Sequence, residues 1–500
     1  MPNEIDWINS RARLFNHDIA VIDADTNQKF TYGDMNDRAK RLAQYLNENG
    51  VGKGDRVALL APNHVSYFDL LFASMKIGCI FVPLNWRLSS EELYYVINDC
   101  APSTIFVHEM YASKYDWLKE MHTVVIKNNS YIDSLKIDNR LEVIELHEKD
   151  PLAMIYTGGT TGNPKGAVLS HESIFWNAIN TIVSWNLERS DCTLTTIPMF
   201  HTGGLNALSM PILLVGGTVV IRSNFEPEMA INDLIDYKCT IVLFIPTMYH
   251  MMIQTEAFKQ AQFPNMKVFL SGGAPCPLTV YEAFYEKGLQ FKEGYGLTEA
   301  GPNNFYIHPD DAREKRGSVG QPMMLNDIKI VDEQGNDVGI NEVGELWLKG
   351  KHLFEFYWNN EKATDEVFHD DWFKTGDLAR RDKDGYVYIT GRKKEMIITG
   401  GENVYPLEIE HWLQSHDAIN EVAVVGVPDD KWGEMVVAYI SFKGERLTEE
   451  ELAKYCEQKL ARYKIPKKFI EVDELPKTHV GKINKNALVE MYSSLNKTKI

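Results

Sequence analysis

Between Thr157 and Gly166 the chain reads Thr-Gly-Gly-Thr-Thr-Gly-Asn-Pro-Lys-Gly, which gathers four glycines, three threonines and a lysine into ten residues. Glycines let successive backbone N–H groups turn toward one point, threonine hydroxyls add donors, and Lys165 supplies a cation, so the loop suits an anion. A plain surface turn also uses glycines, but not this set of donors beside a lysine. Lys165 lies between Pro164 and Gly166 rather than in a Gly-Lys-Ser/Thr sequence, so this is not a Walker loop.

The elements that must hold such a loop alternate. Thr31-Tyr32-Gly33-Asp34 opens a helical pattern (Ala39, Leu42, Ala43, Leu46) that Gly50 ends, and the apolar run Val57 to Leu60 follows as a strand. A helix over Tyr67 to Met75 and a strand over Cys79 to Val82 continue the rhythm, which recurs from Leu194 to Leu270 and implies parallel strands with helices on their faces. Leu208 to Ile221 is too short to cross a bilayer, and its Pro211, Gly216 and Gly217 predict a buried strand and turn. After Gly344 to Leu348, short strands and turns take over, as at Asp382 to Gly385. Beyond them, a helix (Pro406 to Leu413), strands (Val422 to Val427, Val436 to Phe442) and a helix (Glu449 to Arg462) form a compact αββα unit. Gly391-Arg392-Lys393-Lys394, charged and poor in apolar residues, reads as the hinge between the parts.

At 500 residues the chain exceeds what one core usually supports. Its net charge of -18 argues against broad binding to nucleic acid or an anionic membrane and favours small-molecule partners. Six scattered cysteines with no CxxC pair indicate neither a zinc site nor a disulfide framework. The acidic residues at Glu4 and Asp6 stand where an export signal would be basic, so a cytoplasmic location is expected.

The loop resembles the TSGTTGxPKG segment of the adenylate-forming superfamily, which includes acyl-CoA synthetases, luciferases and peptide-synthetase adenylation domains. Gly158 stands where that family usually has serine, which leaves the phosphate grip to Thr157, Gly159, Thr160, Thr161, Gly162 and Lys165. Further segments match in order. Ser271-Gly272-Gly273-Ala274-Pro275 is similar to the turn beside adenine, so Gly273 and Ala274 would border the base. Glu293-Gly294-Tyr295-Gly296-Leu297-Thr298-Glu299 resembles the YGxTE signature, whose tyrosine stacks on adenine, threonine meets the phosphate and glutamate holds magnesium. Glu299 with Thr160, ATP and water would complete that ion's oxygen shell.

Trp372-Phe373-Lys374-Thr375-Gly376-Asp377 resembles the family's TGD, in which a carboxylate after a tight turn accepts both ribose hydroxyls. Arg392 matches a ribose-contacting arginine and Lys394 the pivot. Gly400-Gly401-Glu402-Asn403-Val404-Tyr405-Pro406 looks like the GGENVYP loop of fatty acyl-CoA ligases, with Gly400, Gly401 and Glu402 by the CoA thiol tunnel and Asn403 in the nucleotide set. Pro476 to Ile483 is similar to PxTxxGKI, whose lysine, here Lys482, neutralises the acid and α-phosphate during adenylation. The basic residues Lys464, Lys467, Lys468 and Lys485 are expected on a surface or near the phosphates of CoA.

The resemblance implies an α/β fold. Residues 1–391 would hold doubly wound subdomains and a small β-barrel-like one, 392–394 the hinge, and 395–500 a mobile α+β domain. It also implies an AMP-forming ligase that uses ATP, Mg²⁺ and CoA. His201, a catalytic candidate with Thr298, Glu299 and Lys482, would with Gly203 and Gly204 line an acyl pocket whose glycines give a chain room. No aspartate lies between Pro198 and Leu208 to bind an amino group, and Pro83 to Leu88 looks like fatty acyl-CoA ligases. Ile398 stands where aryl-acid ligases often carry lysine, and together these favour a medium- or long-chain fatty acid. An aryl or small-acid ligase such as an o-succinylbenzoate type, a carrier-protein loader, a luciferase-like monooxygenase and a nucleotide sensor without turnover stay open, as does a homodimer.

Overall fold

The computed structural model describes residues 5–113, 117–118, 121–135, 144–158, 163–274, 276–429, 431–444, 446–478 and 483–497. It divides into two compact units, one of residues 1–276, 283–328 and 348–373, the other of residues 277–282, 329–347 and 374–500. The expected pivot, 392–394, lies inside the second.

In the first unit, seven strands run in the order Phe356–Tyr357, Lys165–Ser170, Pro151–Thr157, Ile80–Pro83, Arg56–Leu60, Thr104–His108, Thr123–Ile126. The last five pair in parallel, as the alternating pattern predicts. The helix Tyr32–Glu48 starts where the sequence says, because Thr31 and Asp34 form a reciprocal capping box. The helix Ser66–Ile77 is buried on every side. It carries two charges inward, each paired: Asp69 with Arg38 at 2.6 Å and Lys76 with Asp6 at 3.0 Å. The unit also holds three smaller sheets: Gln28–Thr31, Ile19–Asp23, Thr218–Ile221 and Cys192–Thr195; the parallel trio Ile241–Phe244, Val268–Ser271 and Phe291–Glu293; and the pair Phe305–Tyr306 and Gln321–Pro322.

One expectation fails here. Residues Ser209–Val215 form a helix, and only Thr218–Ile221 are a strand. Pro211 sits in the helix's first turn, where no N–H is needed, and Gly216 at φ 99° supplies the left-handed cap.

In the second unit, Trp372–Arg381 and Val387–Arg392 belong to a five-stranded sheet. A separate sheet orders Glu402–Val404, Ile397–Thr399, Gly433–Phe442 and Ile419–Asp429, with Lys468–Glu471 added in parallel. Strand alternation divides its core. Val422, Val424 and Val436 face Ile409, Leu413 and Leu452, while Ala423, Val425 and Val427 face Leu488 and Tyr492. The expected αββα unit is therefore an open-faced subset of a larger layer. Its second helix ends at Glu457, not Arg462, because the chain turns extended at Ala461 and both Leu460 and Ile465 reach the core.

Candidate active site

Thr157 and Lys165 are opposite partners on adjacent antiparallel strands, so the glycine-rich segment is the connection between them. Gly159, Thr160, Thr161 and Gly162 lie outside the described residues. Gly158 has open space where a side chain would grow.

Tyr357 is a functional candidate that the motifs do not contain; the only hint is the aromatic run Phe354 to Trp358. Its strand pairs with Lys165–Ser170, and the Trp358 N–H donates to the Gly166 carbonyl at 2.7 Å. The Lys165 ammonium lies 5.0 Å from the centre of the Tyr357 ring, and the Tyr357 hydroxyl donates to Glu299 Oε1 at 2.7 Å. One tyrosine thus ties the loop's cation to the metal-candidate carboxylate. The Glu299 carbonyl, in the turn Thr298–Ala300, accepts the Phe354 N–H at 2.8 Å. Gly296 must be glycine, because a Cβ would lie 2.1 Å from the Pro302 backbone.

On the adenine side, Ser271 and Glu293 are neighbours in parallel strands, and the Gly294 N–H donates to the Ser271 carbonyl at 2.9 Å. Gly273, Ala274, Gly294 and Tyr295 therefore leave adjacent carboxyl ends of strands, where open α/β sheets bind ligands. Glu293 Oε2 accepts the Cys276 N–H at 3.2 Å, and Tyr295 packs edge-on against Phe305.

Asp377 and Arg392 face each other across paired strands, and Arg392 Nε meets Asp377 Oδ1 at 2.8 Å. The expected tight turn is instead a continuous strand, Trp372–Arg381, with Gly376 at φ 69° bending it from within. Thr375 fixes the aspartate: its hydroxyl donates to the Leu346 carbonyl at 2.7 Å and accepts the Asp377 N–H at 3.0 Å. Asp377 is 4% exposed, and an ionised carboxylate is a pure acceptor that can take more than one donor.

The charged segment 391–394 is not a free linker. Gly391 and Arg392 end a strand, Lys393–Glu395 make a short 3₁₀ turn, and Lys393 reaches Glu345 at 2.9 Å. Gly400 and Gly401, at φ 60° and 84°, form the two-residue turn of a hairpin joining Ile397–Thr399 to Glu402–Val404. Glu402 and Asn403 are exposed on its return strand. Trp432 lies against Gly400, where a Cβ would come within 3.0 Å of the indole. Lys482 lies outside the described residues.

The acyl segment differs from expectation. His201 starts the short helix Thr202–Leu205, its carbonyl accepting the N–H groups of Gly204 and Leu205, both at 3.1 Å. Gly204 gives no room to a ligand: a Cβ there would lie 2.4 Å from the Pro198 carbonyl oxygen. Gly203 meets only Ile197, at 4.0 Å. Tyr111, Trp86, Phe200 and His201 form a continuous aromatic run, with successive ring centres 5.8, 5.9 and 4.3 Å apart. Buried asparagines, absent from every motif, join this segment to the Glu299 turn. Asn303 donates to the Ala207 carbonyl at 2.7 Å, and Asn304 to the Ala300 carbonyl at 3.0 Å.

Among the described residues no three His, Cys, Asp or Glu side chains could hold a metal ion together. Mg²⁺ that arrives with a nucleotide keeps waters and phosphate oxygens and needs one protein carboxylate. Glu299, steadied through one oxygen by Tyr357, would be that ligand. No described helix is long and apolar enough to cross a membrane.

The AMP-binding enzyme family model matches residues 8–358, and the AMP-binding enzyme C-terminal domain matches residues 408–482. The chain is 36% identical over 480 residues to a feruloyl-CoA synthase of Amycolatopsis sp, covering 96% of this chain and 97% of that protein. It is 34% identical over 484 residues to the long-chain-fatty-acid–CoA ligase FadD13 of Mycobacterium tuberculosis, covering 95% of each. Its fold superposes on o-succinylbenzoate CoA synthetase of Bacillus subtilis, in complex with the acyl-adenylate OSB-AMP, with a TM-score of 0.88 at 30% identity over 97% of both chains. The chain therefore belongs to the adenylate-forming AMP-binding family and is one of its AMP-forming acid–CoA ligases.

Proposed function

We propose that this ligase activates an apolar monocarboxylic acid, aromatic or aliphatic, as its acyl-adenylate and passes the acyl group to CoA. The observation that carries the nucleotide half is the Lys165–Tyr357–Glu299 cluster, which gathers a cation and a metal-ligating carboxylate beside the glycine-rich connection. Asp377 and Arg392 are the ribose contacts, Thr298 and Lys482 the phosphate contacts, and residues 392–394 the pivot between 1–391 and 395–500.

In the first half-reaction the acid's carboxylate oxygen attacks the α-phosphorus of ATP and pyrophosphate leaves. Mg²⁺ bound with ATP would offset phosphate charge there. Lys482 stabilises the charge that gathers around phosphorus, Lys165 the departing phosphates, and Asp377 holds the ribose so that the α-phosphate does not wander. In the second half-reaction the CoA sulfur attacks the acyl carbon and AMP leaves. Gly400, Gly401 and Glu402 border the thiol's path.

Two features support an apolar acid. The aromatic run from Tyr111 to His201 offers an apolar wall, and Pro198 to Leu208 contains no Asp, Glu, Lys or Arg. The early preference for a fatty chain loses its argument from room at Gly204, and relatives named for ferulate and for long-chain acids both lie near. The test is thioester formation, read by mass, from ferulate, dodecanoate and 2-succinylbenzoate with MgATP and CoA. Ferulate or dodecanoate should exceed the dicarboxylate at least about tenfold in kcat/KM, as expected when a second carboxylate finds no partner. Preference for the dicarboxylate, or acyl transfer only to a carrier protein, would overturn the proposal.

A further inference from the structure

The residues flanking 479–482 are anchored by ion pairs, one of them made by Lys485, which is expected from the sequence on a surface or near the phosphates of CoA. Lys477 and Ile483 form an antiparallel bridge, and the Asn484 N–H donates to the Pro476 carbonyl at 2.7 Å, so the residues flanking 479–482 share one base. The Asn484 side chain accepts the Ala487 N–H at 3.2 Å and caps the helix Lys485–Lys497.

Two lysines tie this base down. Lys477 meets Glu421 at 2.9 Å. Lys485 meets Glu395 at 3.0 Å and Glu410 at 2.9 Å, and Glu410 also accepts the Val424 N–H at 2.7 Å. Burial opposes the charge on Lys485, but Glu410 and Glu395 outweigh it and raise its pKa, so it is a fixed cation. Without it two carboxylates would face each other. Glu395 is the residue after Lys394, the proposed pivot.

We propose that Lys485 is a positioning residue for adenylation: by clamping Glu395 and Glu410 it fixes the base of the Lys482 segment to the chain just beyond the pivot, so that pivot and lysine move as one body. This rests on the ligase reading and pivot above. Lys485 touches no substrate; it acts through Lys482, whose misplacement by about 1 Å can cost on the order of 100-fold in rate. Thioester formation does not use Lys482 and does not need the clamp.

The test separates the half-reactions in the full-length protein, with the better of ferulate and dodecanoate as the acid. Adenylation is read as acid-dependent ATP–pyrophosphate exchange, and transfer as thioester made from the synthetic acyl-adenylate and CoA. Lys485→Met should lower exchange at least about tenfold and leave transfer within about threefold, and Lys485→Arg should recover most of the exchange. Glu395→Gln, which keeps the volume, should lower exchange while sparing transfer and decides alone if Lys485→Met does not fold. Parallel loss of both half-reactions in the folded variants, or unchanged exchange, overturns the clamp. A wild-type protein that exchanges with no acid defeats the ligase reading instead.

Discussion

The charge-handling part of the first unit and its acyl segment are built by different rules. Lys165 and Glu299 sit at or beside strand ends, each with a named partner through Tyr357. The segment from Pro198 to Leu208 is shaped by backbone crowding, and its glycine at 204 serves two carbonyl oxygens rather than a ligand. Residue type therefore reports chemistry in the first region and packing in the second, which is why the nucleotide is legible and the acid is not.

The largest effect is expected outside both regions, at Lys482 in the second unit. Lys482→Ala should lower adenylation by roughly 100- to 1,000-fold, the usual loss when one transition-state donor is removed. Acid-dependent pyrophosphate release measures it, and a loss below about fivefold would move the electrostatic burden elsewhere.

Tyr357→Phe probes the charge-handling part of the first unit without touching a charge. Losing a hydrogen bond to a carboxylate costs about 1.5–3 kcal/mol, so the Mg²⁺ concentration for half-maximal rate should rise roughly tenfold or more. An unchanged Mg²⁺ titration would dissociate Tyr357 from the metal site.

In the acyl segment the two glycines should part ways. Gly204→Ala should destabilise the protein by about 1–3 kcal/mol in urea unfolding, as overpacking does, with little change in which acid is preferred. Gly203→Ala should leave stability nearly unchanged and alter the ratio of ferulate to dodecanoate turnover. The reverse pattern would mean that Gly204 faces the ligand after all.

Lys292, on the adenine strand, is buried against aromatic rings and the Ile307 carbonyl. Its ammonium lies 4.2 Å from the Tyr306 ring centre and 4.8 Å from that of Trp185, and burial pushes its pKa from 10.5 down to about 7. Between those values the unfolded chain holds a proton that the folded protein has released, so stability from this group rises with pH, by at most about 1.4 kcal/mol per unit. Below pH 7 both states are protonated and the cost of burying the charge is fully felt. Wild-type stability relative to Lys292→Met should therefore increase from pH 6.5 to 9. A flat difference would mean the site stays charged.

Much of the fold was legible because caps and periods are local. Thr31 and Asp34 announce their helix, and the apolar run Val422 to Val427 announces its strand, which the structure buries on both faces. Pro211 misled because proline marks a break within a helix but is welcome in its first turn. Asp377 and Arg392 were visible as residue types, whereas their pairing depends on a register 15 residues long. Tyr357, Asn303 and Asn304 carry no pattern, since their roles come from neighbours distant in the chain. The positions of Gly400 and Gly401 were read as space for CoA, and the hairpin turn requires them on its own account.

The central claim is that acid adenylation comes first and stands alone, and acid-dependent ATP–pyrophosphate exchange in the absence of CoA tests it most directly. Exchange that requires the acid and MgATP but no CoA is the predicted result. Exchange that appears only when CoA is present, or ADP and phosphate as the products, would contradict it.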